Sequence, residues 1–149
     1  MEVKTIGILT SGGDSQGMNA AIRAIVRNAV RKGIKVKGIF DGYQGLIDGN
    51  FIDLDIGDVS GIIQKGGTML GTARCLEFKE QSGIQKAADN CRKFGIDGLV
   101  VIGGDGSFRG AGDLSRAGIP CVGLPGTIDN DIACTEYTPG SDTAMNVAM

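Results

Sequence analysis

Two apolar runs in this sequence end abruptly in loops of Gly, Thr and Asp. Val100-Val101-Ile102 leads into Gly103-Gly104-Asp105-Gly106-Ser107, and Leu124-Pro125 leads into Gly126-Thr127-Ile128-Asp129-Asn130-Asp131. Carboxylates flanked by glycine backbone suit Mg²⁺ and phosphate oxygens, because the hard cation takes oxygen ligands and unhindered N–H groups cradle anions. A helix-length segment, 108–117, lies between the runs. The order strand, loop, helix, strand, loop is a βαβ unit, and its right-handed crossover makes the two strands parallel. Both loops then leave the same sheet edge, so Asp105, Asp129 and Asp131 are expected to converge there. Each acid also has a plainer role open to it. Asp105 suits the N-cap of the helix that follows, and Asp129 and Asp131 suit a cluster of Asx turns. As chemistry, one carboxylate of the pair accepts a hydroxyl proton while the other supports a metal shell. Phosphoryl transfer through a loose transition state asks little early deprotonation of the nucleophile, so a carboxylate serves as the base.

What is missing narrows the chemistry further. The 149 residues contain no histidine, which removes Ser-His and Cys-His machinery and leaves a carboxylate, Lys, Tyr or Cys as any general base. The four cysteines (Cys75, Cys91, Cys121, Cys134) show no CxxC spacing, which argues against zinc and for free thiols in the cytoplasm. Net charge is −2 without a basic stripe, so no nucleic-acid backbone is an expected partner. No apolar run is long enough for a membrane span and no signal peptide opens the chain. Among cations, Arg74 lies in a loop of small residues, where its fork could bridge phosphoryl oxygens or stand solvated. Arg23 and Arg27, one helical turn apart, could grip an anion or form a wet helix face. Tyr43, set among glycines, could pack on a base or ribose.

The elements that must position these residues follow from periodicity. Val3 to Thr10 is a β-rich run, and Ser11-Gly12-Gly13-Asp14-Ser15-Gln16-Gly17 is the loop after it. Met18, Ala21, Ile22, Ile25, Val26, Ala29 and Val30 recur at helical spacing, and Gly33 stops that helix. Ile34 to Phe40 reads as a second strand, ending in a Gly-rich loop at 41–45. Phe51 to Leu54 reads as a short strand and Asp58 to Gln64 as a short helix. Ser82 is placed to cap a helix with apolar face Ile84, Ala87, Ala88, Cys91 and Phe94, closed by Gly95. Strands at 97–102 and 119–124 complete the sheet, and a helix starting near Ser141 or Asp142 ends the sequence after barely two turns. The expected fold is α/β: a three-layer, doubly wound, mostly parallel sheet with helices on both faces. Four loops, 11–17, 40–45, 103–107 and 125–131, then share the ligand-binding edge. Gly12-Gly13-Asp14 is not GxGxxG, although Asp41 sits where a dinucleotide's ribose-binding acid would lie, and no GxxxxGK[ST] is present. Bound phosphate would therefore rest on backbone N–H groups at helix N-termini near Gly13 and Gly106.

Taken together, Leu9-Thr10-Ser11-Gly12-Gly13-Asp14, Gly17-Met18-Asn19, Gly66-Gly67-Thr68, Gly71-Thr72-Ala73-Arg74, Gly103 to Ser107 and Pro125 to Asp131 resemble the N-terminal part of the bacterial-type 6-phosphofructokinases. Gly-Gly-Asp-Gly alone is shared with NAD kinases and lipid kinases. An NAD-kinase-like enzyme, or a non-catalytic nucleotide-binding module, is therefore the alternative. The resemblance implies transfer of the ATP γ-phosphoryl group to the 1-hydroxyl of fructose 6-phosphate, with Mg²⁺. It implies Asp129 as proton acceptor, with Thr127 and Ile128 at the sugar, and Asp105 and Asp131 near the metal. It implies ATP contacts from Gly13, Tyr43, Arg74, Cys75, Gly104, Asp105, Gly106, Ser107 and Gly110, with Arg74 also stabilising the transferring group. Effector binding would fall to Arg23 and Arg27, although Ile56 and Gly61 stand where the family has Arg and Asp. Ser15-Gln16 replaces the family's Ala-Pro. Pyrophosphate-using relatives carry Asp and Lys where this sequence has Gly106 and Gly126, which leaves room for a nucleoside and favours ATP. Residues 1–149 are expected to be the nucleotide-binding domain of a protein about twice as long, cut at the start of a sugar-binding domain. The full-length protein is expected to be a cytoplasmic homotetramer.

Overall fold

Alternating burial along the strands dictates the layering. The computed structural model describes residues 3–12, 17–62, 67–73 and 75–125. In chain order the elements are β1 (Thr5–Thr10), α1 (Gly17–Arg31), β2 (Lys35–Ile39), α2 (Gly42–Asp48), β3 (Phe51–Leu54), α3 (Gln81–Lys93), β4 (Gly98–Gly103), α4 (Asp105–Arg116) and β5 (Cys121–Pro125). Short 3-10 turns lie at Ile56–Val59 and Glu77–Lys79. The sheet order is β3-β2-β1-β4-β5. All pairs are parallel except β2 with β3, so β1, β2, β4 and β5 end at one edge.

Neighbouring strand residues point to opposite faces. Leu9, Leu99 and Val101 enter one core with α2, α3 and α4. Ile8, Val36 and Ile102 enter the other with Met18, Ile22, Val26 and Ala29 of α1. Burying each of the larger side chains contributes about 1.5–3 kcal/mol. The three-layer, doubly wound architecture expected from the sequence is the one found.

Four local expectations need correction. Residues 41–45 do not form a loop: Gly42 opens α2, where Tyr43, Leu46 and Ile47 are buried at i, i+3, i+4 spacing. Their packing overrides the poor helix propensity of Gly42 and Gly45. Ser82 does not cap α3; the helix begins at Gln81 behind Glu80, which makes no side-chain cap. The helix expected at 58–64 is a 3-10 turn at Ile56–Val59, closed by reciprocal bonds between Asp55 and Asp58, while residues 63–64 lie outside those described. Finally, α4 starts at Asp105, not 108, and its N-cap is Gly104, so Asp105 does not cap it. The terminal helix from 141 lies outside the described residues.

Candidate active site

The centre of the sheet is where the winding reverses. From β1 the chain proceeds outward through β2 and β3, and from β4 it proceeds the other way to β5. The switch point between β1 and β4 is the place where open α/β sheets take ligands. Ser11 N–H donates to the Ile102 carbonyl oxygen at 2.9 Å, so the chain leaving β1 stays laced to β4. Gly103 permits this closeness: a Cβ there would strike the Ser107 hydroxyl and lie 2.7 Å from the Ser11 carbonyl oxygen.

A cavity of about 960 Å³ opens at this point. Ser11, Gly12, Gly104, Gly106 and Ser107 line its glycine-rich end. Thr72, Ala73, Cys75, Leu76 and Phe78 also line it, and Lys79, Arg109 and Asp113 bring charge. The N-terminus of α4 faces this space without a side-chain cap. Its first intrahelical bond runs from Phe108 N–H to Gly104 O at 3.0 Å. The N–H groups of residues 105–107 precede it and have no intrahelical acceptor. N–H groups left over by the helix and the positive end of its dipole favour an anion there.

The loop that supplies Thr72 and Ala73 is held from beneath. Thr10, fully buried at the end of β1, donates its hydroxyl to Gly71 O at 2.9 Å and lies 3.0 Å from the Thr68 hydroxyl. Asn19 in α1 accepts from Met69 N–H at 2.6 Å, and its own N–H donates to Gly67 O at 3.0 Å. The buried Asn19 gives the Gly17-Met18-Asn19 motif a structural purpose.

Tyr43 is bound within the protein more closely than its sequence context implies. Its ring stacks on Phe78 at 4.1 Å and 15°, and its hydroxyl donates to Ser107 O at 2.5 Å. Burial pushes that phenol well above its ordinary range, so it remains a donor. The ring also explains Gly110: a Cβ there would lie 2.9 Å from Tyr43 Cζ and 3.0 Å from Phe78 Cε2. Cys75 is half-buried, and burial raises its thiol above the usual value.

Of the residues singled out from sequence, Tyr43, Cys75, Gly104, Gly106, Ser107 and Gly110 meet around this cavity. Asp105 is exposed at the first residue of α4 and does not line it. Gly13, Arg74, Thr127, Ile128, Asp129 and Asp131 lie outside the described residues, and with them two members of the expected acidic trio. Arg23 and Arg27 are half-buried on α1, whose core lies on the opposite face of the sheet from α4. Sequence reading missed Lys79, Arg109 and Asp113. The last had a signal, since Ser107, Gly110 and Asp113 follow i, i+3 spacing down one helix face.

Among the described residues the first turn of α4 carries one carboxylate, Asp105, an oxygen ligand of the kind Mg²⁺ takes. Among them no group of three or more His, Cys, Asp or Glu gathers around one point.

A mostly parallel sheet with an uncapped helix N-terminus at its switch point defines the doubly wound α/β proteins that bind ligands at the carboxyl ends of their strands. Comparison with known proteins is more specific: residues 5–149 match the phosphofructokinase family model, and the chain belongs to that family. An ATP-dependent 6-phosphofructokinase from Bacillus pumilus (strain SAFR-032) is 59% identical over 147 residues, covering 99% of this chain and 46% of the relative. One from Clostridium botulinum (strain Hall / ATCC 3502 / NCTC 13319 / Type A) is 60% identical over 147 residues, with the same coverage. The crystal structure of Pichia pastoris phosphofructokinase in the T-state matches with a TM-score of 0.80 at 43% identity, over 88% of this chain and 17% of that one. The chain spans about half the length of the curated relatives it matches.

Proposed function

We propose that this chain is the nucleotide-binding part of an ATP-dependent 6-phosphofructokinase. The enzyme moves the γ-phosphoryl group of ATP to the 1-hydroxyl of fructose 6-phosphate and gives fructose 1,6-bisphosphate. The observation that carries the reading is the cavity at the switch point, floored by Gly104, Gly106 and Ser107 at the uncapped end of α4. Backbone N–H groups there receive the phosphates, and Tyr43, Cys75 and Gly110 shape the space beyond. Among the described residues, nothing lies within 4 Å of where a Gly106 side chain would begin, which supports room for a nucleotide's inner phosphates.

In this reading Asp129 accepts the sugar hydroxyl proton, and Thr127 and Ile128 line the sugar. Arg74 steadies the transferring group, and Gly13 is one of the residues that hold ATP. Mg²⁺, held by Asp105 and Asp131 with phosphate oxygens, would neutralise charge on those phosphates. Arg23 and Arg27 serve an effector anion on the other face. The working form is a cytoplasmic homotetramer of the full-length protein. No described helix is long and apolar enough to cross a membrane.

The test mixes the full-length protein with MgATP and either fructose 6-phosphate or NAD and follows ADP release. ADP formed only with the sugar phosphate supports the reading; ADP formed only with NAD replaces it with an NAD-kinase activity. The Asp129→Ser variant is expected to lose several orders of magnitude in kcat while ATP binding stays nearly intact.

A further inference from the structure

The cavity follows one face of α4. Ser107 and Gly110 are buried and small, and Asp113 is the next position on that i, i+3 stripe. From Asp105 to Asp113 the helix advances eight residues, about 12 Å at 1.5 Å per residue. A ligand with phosphates on the first turn of α4 therefore carries its far end toward Asp113. The cavity beyond the glycine-rich end includes the apolar side chains of Leu76 and Phe78, suited to the faces of a flat ring. Asp113 is the only carboxylate that lines the cavity among the described residues, and its side chain is 33% exposed. Its Oδ1 pairs with Arg116 one turn along, which orients the group and leaves Oδ2 without a protein donor among the described residues.

We propose that Asp113 is a specificity-determining residue that reads the exocyclic amine of the nucleobase. A carboxylate is an acceptor only, so it binds a base that presents N–H at this edge and rejects one that presents a carbonyl oxygen. Rejection is the stronger half of the effect, because a carbonyl facing the carboxylate leaves both acceptors unpaired. The assignment rests on the kinase reading above.

MgATP and MgITP separate the two claims, because the exocyclic amine of adenine becomes a carbonyl in hypoxanthine, whose added N–H lies on the neighbouring ring nitrogen. With full-length protein, the ratio of kcat/KM for ATP over ITP is measured for wild type, Asp113→Asn and Asp113→Ala. Asn presents either an acceptor or a donor, so Asp113→Asn is expected to lower the ratio at least about tenfold, partly by gaining on ITP. Asp113→Ala is expected to lower it by losing on ATP. Active enzyme whose ratio is unchanged in both variants overturns the assignment alone. Wild type that turns over neither triphosphate overturns the kinase reading and this assignment with it.

Discussion

The Tyr43 hydroxyl in α2 donates to the Ser107 carbonyl oxygen in the first turn of α4 at 2.5 Å. This buried bond joins two elements 64 residues apart and fixes the turn that faces the cavity. In Tyr43→Phe the stack on Phe78 is expected to survive and the bond to be lost. Unfolding free energy should fall by about 0.5–1.5 kcal/mol in a denaturant titration. Nucleotide affinity, read by calorimetry, should weaken because the first turn of α4 loses its brace.

Two glycines of α4 should respond in opposite ways. A Cβ at Gly110 lies 2.9 Å from the Tyr43 ring, so Gly110→Ala must push α4 away from α2. The cost is about 1–3 kcal/mol of stability, measured by denaturation. At Gly106 no described residue lies within 4 Å of the Cβ position, so the fold should accept Gly106→Asp. The new carboxylate faces the cavity, and KM for ATP should rise at least about tenfold from like-charge repulsion with the phosphates. Unchanged ATP kinetics would remove Gly106 from the argument about donor choice.

Thr10 ties the strand end to the 67–73 loop through its bonds with Gly71 and Thr68. Thr10→Val keeps the shape but leaves the Gly71 carbonyl oxygen without this donor. A loss of about 1–3 kcal/mol is expected, together with faster amide exchange in the loop. Thr10→Ser retains the hydroxyl and should restore the exchange pattern.

Alkaline stability should follow the buried thiols. Burial pushes Cys91 and Cys121 from 9.0 to about 12 in the folded chain. Between those values the unfolded chain has lost protons that the folded chain keeps, so stability falls as pH rises. Below pH 9 both states are protonated and these thiols give no slope. Denaturation midpoints measured from pH 8 to 11 should therefore decline. Cys91→Ala/Cys121→Ala should start lower and decline less.

Much of the architecture was legible because its signals are local. The apolar spacing of α1, the runs ending at Thr10 and Gly103, and the glycine stops at Gly33 and Gly95 all report on neighbours within a few residues. The α2 helix was hidden because Gly42 and Gly45 resemble loop residues. Only contact with the rest of the fold, with Gly45 close against the Phe40 carbonyl, shows why they are glycines. The misplaced start of α4 has the same origin: Gly104 caps by its extended backbone, with no side chain to advertise it.

By itself the sequence determined the parallel βαβ plan, the strand edge at which Gly103 to Ser107 lies, and the resemblance carried by the order of its motifs. Periodicity and right-handed crossover are properties of any chain with this pattern, so no partner residue need be known. Only the tertiary structure decided that Tyr43 braces Ser107, that Thr10 and Asn19 carry the 67–73 loop, and that Asp113 lines the same cavity as Gly104. Those contacts join residues distant in the chain, and packing of whole elements, not local preference, sets which side chains meet.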